Sequence, residues 1–124
     1  MSNIDKEVFN KLKERMKEKF PVLLGGYLRD AKTYLVTVET NIPDGDISAL
    51  IAAVHSLKSA SGLLGITEVF SGAEKLEYTA KEIQEKGGQN FHSLGILYAE
   101  LQNMFSEVEG DLRAELEKAR AAWS

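Results

Sequence analysis

Apolar residues recur every three or four positions along nearly the whole chain, with polar and charged residues between them. Ile4, Val8, Phe9, Leu12, Met16 and Phe20 form the first such stripe and predict a helix over about residues 4–19. The positions between them, Lys6 to Lys19, mix both signs of charge and read as a solvated face. Pro21 suits the start of a second helix. Leu24, Tyr27, Leu28, Ala31, Leu35 and Val38 carry its stripe toward Asn41-Ile42-Pro43, where proline opposes continuation. Asp44-Gly45-Asp46 predicts a turn, with Asp46 as the N-cap of a third helix from about Ile47 to Leu64.

Gly65 and Thr67 predict the next break, with Thr67 as a cap. A fourth helix follows over about Glu68 to Lys86, with Val69, Phe70, Ala73, Leu76, Ala80 and Ile83 inward, and Gly87-Gly88 ends it. The last helix begins near Asn90 to Ser93 and reaches Ala122 on Phe91, Leu94, Leu97, Leu101, Met104, Phe105, Val108, Leu112, Leu116 and Ala119. At roughly 45 Å it is the longest, so its far end either projects or is covered by the first helix. Its apolar repeat is also compatible with coiled-coil pairing of two chains. Tyr34-Leu35-Val36-Thr37-Val38 has the composition of a strand but continues the second helical stripe. The expectation is an all-α chain. An up-down-up-down four-helix bundle over about 21–122 carries an additional N-terminal helix, in one domain over 1–124.

Composition narrows the function classes. With 44% hydrophobic and 27% charged residues the chain has the balance of a globular protein with a core. A net charge of −4 gives nucleic-acid binding no general electrostatic support. The absence of cysteine excludes disulfides and thiolate metal sites, and fits a reducing compartment. No apolar run reads as a membrane span, and Met1-Ser2-Asn3-Ile4-Asp5-Lys6 lacks the apolar core of a signal peptide, so the chain reads as cytoplasmic.

The chemistry concentrates in the third helix. From Ser48 to Thr67 the single formal charge is Lys58, three residues after the single imidazole, His55. On a wheel of about 100° per residue, Leu50, Ala53, Val54, Leu57, Ser61 and Leu64 form a core face opposite His55. Ser48, Ala52, Ser59, Gly62 and Ile66 lie within roughly 60° of His55. This small-residue collar leaves the ring open to a large partner. Histidine, with an ordinary pKa near 6.5, is a neutral nitrogen nucleophile at neutral pH. Lys58 stands close enough to offset an anion arriving on the ring. His92, the other histidine, reads as a surface or capping residue. Glu74, Glu77, Glu82 and Glu85 read as solvated charge, because no histidine accompanies them at metal-ligand spacing. No metal site, serine triad or phosphate-cradling loop is present.

His55-x-Leu57-Lys58-Ser59-x-x-x-x-Leu64-Gly65 resembles the signature of histidine-containing phosphotransfer domains. Pro21-Val22-Leu23-Leu24, Asp44-Gly45-Asp46 and Ala73-x-x-Leu76-Glu77 extend the resemblance over about residues 20–110. It departs at Ser59, where that family often has glycine. The resemblance implies that His55 carries a phosphoryl group between aspartates of response-regulator receiver domains, with Lys58 stabilising it. Ser48, Ala52, Ser59 and Gly62 would then form the docking face. It implies no cofactor in this chain, with Mg²⁺ and the lysine-aspartate machinery on the receiver. A hybrid sensor histidine kinase is a further implied partner, and the chain is expected to be monomeric. Two alternatives stay open: an adaptor never phosphorylated on His55, and a domain phosphorylated directly by an ATP-dependent histidine kinase domain.

Overall fold

The computed structural model describes residues 3–88 and 91–124. Five α-helices follow one another: α1 over Lys6–Met16, α2 over Phe20–Asp44, α3 over Ile47–Leu64, α4 over Thr67–Lys86 and α5 over Phe91–Ala122. A 3₁₀ turn, Lys17–Lys19, joins α1 to α2. Lys17 bends there with a φ of +50°, which breaks the run expected to continue to residue 19. No strand occurs among the described residues. The expected start of the last helix at Asn90 lies outside them, as do Met1 and Ser2.

Helices α2 to α5 form the up-down-up-down bundle, each packing on its chain neighbours, with α5 closing against α2. The core is the apolar stripe of each helix, including Leu24, Leu28 and Val38 from α2, Leu50 and Leu57 from α3, Leu76 from α4, and Leu101 and Leu112 from α5. The far end of α5 does not project, and α2 covers it in place of the first helix. Leu112, Leu116 and Ala119 are buried, and Leu116 and Arg120 lie against Gly25 of α2.

Helix ends depart from the pattern where chain breaks, not periodicity, decide. Helix α2 runs on through Pro43 to Asp44, because Gly45 in the left-handed conformation supplies the C-cap only there. Asp46 caps α3 as expected, its carboxylate accepting from the Ala49 N–H. Thr67 is not a cap: Ile66 holds the N-cap position of α4, and the Thr67 N–H donates to the Asn3 carbonyl at 3.1 Å. The Asp5 N–H donates to the Gly65 carbonyl at 2.7 Å, so residues 3–5 strap the α3–α4 turn. Ile66 is therefore fully buried under this strap and does not share the His55 face, since the helical wheel ends at Leu64. Gly65 has φ +73°, and a Cβ there would sit 3.0 Å from the Asp5 carbonyl oxygen and from the Val8 side chain.

Helix α3, at 18 residues, is long and apolar enough by length and composition to cross a membrane, contrary to the reading of the sequence. Its many alanines and small residues dilute Lys58 and His55. Its apolar stripe is spent on α2 and α4 inside the bundle.

Candidate functional site

Every residue expected on the core face of α3, namely Leu50, Ala53, Val54, Leu57, Ser61 and Leu64, is buried. That fixes the rotation of the helix. Tyr27 of α2 locks it further, its hydroxyl 2.8 Å from the buried Ser61 hydroxyl. Burial pushes the Tyr27 phenol up to about 12 despite that hydrogen bond, so it stays a neutral partner. His55 consequently faces outward with its side chain 57% exposed. Ser48, Ala52, Ser59 and Gly62 are all exposed along the same side.

The residue that completes the site lies on α4. Glu77, read from the sequence as solvated charge, is buried at 4% exposure. Its Oε2 is 2.7 Å from His55 Nδ1 and 3.3 Å from Lys81 Nζ. Its Oε1 is 2.5 Å from Lys58 Nζ. Burial alone would raise its pKa, but the hydrogen bonds from Lys58, His55 and Lys81 outweigh it and hold the carboxyl at about 2. Glu77 is thus ionised at neutral pH and acts only as an acceptor. His55 must donate through Nδ1–H, which leaves the lone pair on Nε2 directed away from Glu77. Glu74 and Glu85 are exposed, as expected, and Glu82 is half-buried.

Lys58 is drawn inward. Its side chain is 22% exposed and held on Glu77, so it does not stand free beside the ring. Gly62 has a second reason to lack a side chain: a Cβ there would meet the Phe70 ring of α4 at 3.1 Å. It lies on an open cleft of about 380 Å³ whose walls include Val8, Ile66 and Phe70. Gln84 Nε2 donates to the Ser48 hydroxyl at 3.0 Å, tying the far end of the exposed side to α4. His92 is exposed on the first turn of α5, on a different helix from the cluster at Glu77.

A signal for Glu77 existed in the sequence. Ala73, Glu77 and Ala80 are spaced by four and three, so Glu77 sits on the inward stripe of α4 between two alanines. A carboxylate at such a position demands buried cationic or donor partners.

Comparison with known proteins bears on this arrangement. The Hpt domain family profile matches residues 22–122. Two solved structures share the fold. Histidine-containing phosphotransfer protein B from Pseudomonas aeruginosa PAO1 superposes with a TM-score of 0.84 at 23% identity, over 94% of this chain and 96% of that one. A candidate histidine-containing phosphotransfer protein from rice gives 0.77 at 18% identity, over 94% of this chain and 84% of that one. No curated protein matches at a significant level.

Proposed function

The chain belongs to the Hpt domain family, whose role is histidine phosphotransfer in two-component signalling, and from that premise we propose that it is a phosphorelay intermediate that carries a phosphoryl group on Nε2 of His55 between aspartates of response-regulator receiver domains. The observation that carries this reading is the His55–Glu77 hydrogen bond at 2.7 Å, which makes Nε2 of an exposed ring the free nucleophile.

In the forward step the Nε2 lone pair attacks the phosphorus of an aspartyl phosphate in line. The N–P bond forms as the P–O bond breaks, and the aspartate leaves with the electron pair as a carboxylate. The Nδ1 proton stays between the ring and Glu77. The positive charge that develops on the imidazole therefore meets a fixed carboxylate. Return transfer to a second receiver reverses each movement. Such transfer needs charge neutralisation at the phosphoryl oxygens, and we assign Mg²⁺ to the receiver. The exposed Ser48, Ala52, Ser59 and Gly62 lie along the His55 side of α3 and are the receiver-docking face. The chain acts as a cytoplasmic monomer, and a hybrid sensor kinase is the upstream source of phosphate.

The test is to mix the protein with a receiver domain carrying labelled phosphate and map the acid-labile label. The wild type should take the label on His55, and His55→Gln should take none while retaining the helical fold. Label retained in His55→Gln, or found on His92, would overturn the assignment.

A further inference from the structure

We infer that Lys81, and not Lys58, is the cation that meets the phosphoryl group, Lys58 being a positioning residue for Glu77. This inference rests on His55 being the acceptor. Both lysines touch Glu77, but they differ in what they can leave. Lys58 is the partner recorded on Oε1, and its side chain is 22% exposed. Turning it toward an incoming phosphoryl group would strip that oxygen of a buried, ionised carboxylate of its cation, a costly loss. Lys81 sits on Oε2, which His55 Nδ1 already occupies at 2.7 Å. Its departure leaves that oxygen satisfied.

Lys81 is also the accessible one, with its side chain 58% exposed against 5% for Glu77. It lies one helical turn beyond Glu77 on α4, on the same face. The 3.3 and 2.7 Å legs through Oε2 keep its Nζ within about 6 Å of His55 Nδ1, across the ring from the Nε2 that takes the phosphoryl group. A lysine stem is flexible and its ammonium keeps three donors. When the phosphoryl group arrives on Nε2, Lys81 moves from Oε2 to a phosphoryl oxygen, while Lys58 and Nδ1–H hold Glu77. The device is a fixed cation and a movable cation on one carboxylate.

The experiment compares Lys81→Gln, Lys81→Arg and Lys58→Met with the wild type. Transfer is measured from a labelled phospho-receiver, and the His55 ring is followed by ¹⁵N NMR. Lys81→Gln should slow transfer by about tenfold with the Nδ1–H form of the ring and the melting temperature unchanged. Lys81→Arg should restore transfer to within about threefold. Lys58→Met should lower the melting temperature and disturb the ring signals along with transfer. Wild-type transfer rates in Lys81→Gln would overturn the inference, as would loss of the Nδ1–H form in that variant. If the wild type itself takes no label on His55, the parent reading fails instead, which separates the two.

Discussion

Two seams of the bundle use the same device to different ends. On the α2–α5 seam, Glu109 accepts from Lys32 at 2.9 Å and from Arg113 at 2.8 Å. On the α3–α4 seam, Glu77 accepts from Lys58, Lys81 and His55. Each is a carboxylate clamped between cations, and each has its pKa lowered, Glu109 chiefly by its hydrogen bond from Lys32. The difference is depth. The Glu109 side chain is 22% exposed against 5% for Glu77, so water and salt reach the carboxylate itself and the cluster contributes little. Glu77 is buried, and its partners cannot be exchanged for water without cost. Depth converts a surface staple into an orienting group, because a buried carboxylate has little access to water that could replace the imidazole N–H it accepts from.

The largest effect that sharpens this contrast is on transfer. Glu77→Met removes both oxygens at similar volume, so His55 loses its anchor and its fixed tautomer. Transfer from a phospho-receiver should fall by about a hundredfold, while Glu109→Met should leave it within about twofold. Equal losses at the two seams, scored in one kinetic assay, would erase the distinction.

Acid should distinguish the seams next. The folded-state pKa of Glu77 is depressed from 4.5 to about 2. Its contribution is therefore fully present above pH 4.5 and is lost as the pH falls toward 2. By linkage this amounts to up to about 3 kcal/mol. Urea melts between neutral pH and pH 2 should show that loss in the wild type and its absence in Glu77→Met. A parallel decline in both would place the acid sensitivity elsewhere.

Backbone substitutions give the smallest effect. A Cβ added at Gly110 of α5 would meet nothing within 4 Å, so Gly110→Ala should stabilise by up to about 1 kcal/mol. Gly62→Ala brings the same propensity gain, but its Cβ meets Phe70 at 3.1 Å, so the melting temperature should rise less or fall. A larger gain at Gly62 than at Gly110 would mean that Phe70 yields freely.

Much of this architecture is legible in the sequence, and apart from the helix ends at Lys17 and Pro43 the failures share a cause. The six buried positions of α3 follow from a single period in an almost uncharged helix, and the outward direction of His55 follows from them. Periodicity also places the stripes of α2 and α5, although it omits Tyr98, which is buried while its hydroxyl donates to Glu39 at 2.7 Å. What fails depends on partners distant in sequence. Ile66 is buried by a strap formed by residues 3–5. Glu77 is ionised and useful only because α3 brings Lys58 and His55 to it, 19 and 22 residues away. Residue type alone assigns that carboxylate to water, whereas its register between Ala73 and Ala80 already points inward.

The most direct measurement of the central claim is NMR of the ¹⁵N-labelled protein after phosphorylation by a phospho-receiver. The account predicts a ¹⁵N–³¹P coupling at Nε2 of His55, with Nδ1 still protonated against Glu77. A phosphoryl group on Nδ1 of His55, or on any other side chain, would contradict it.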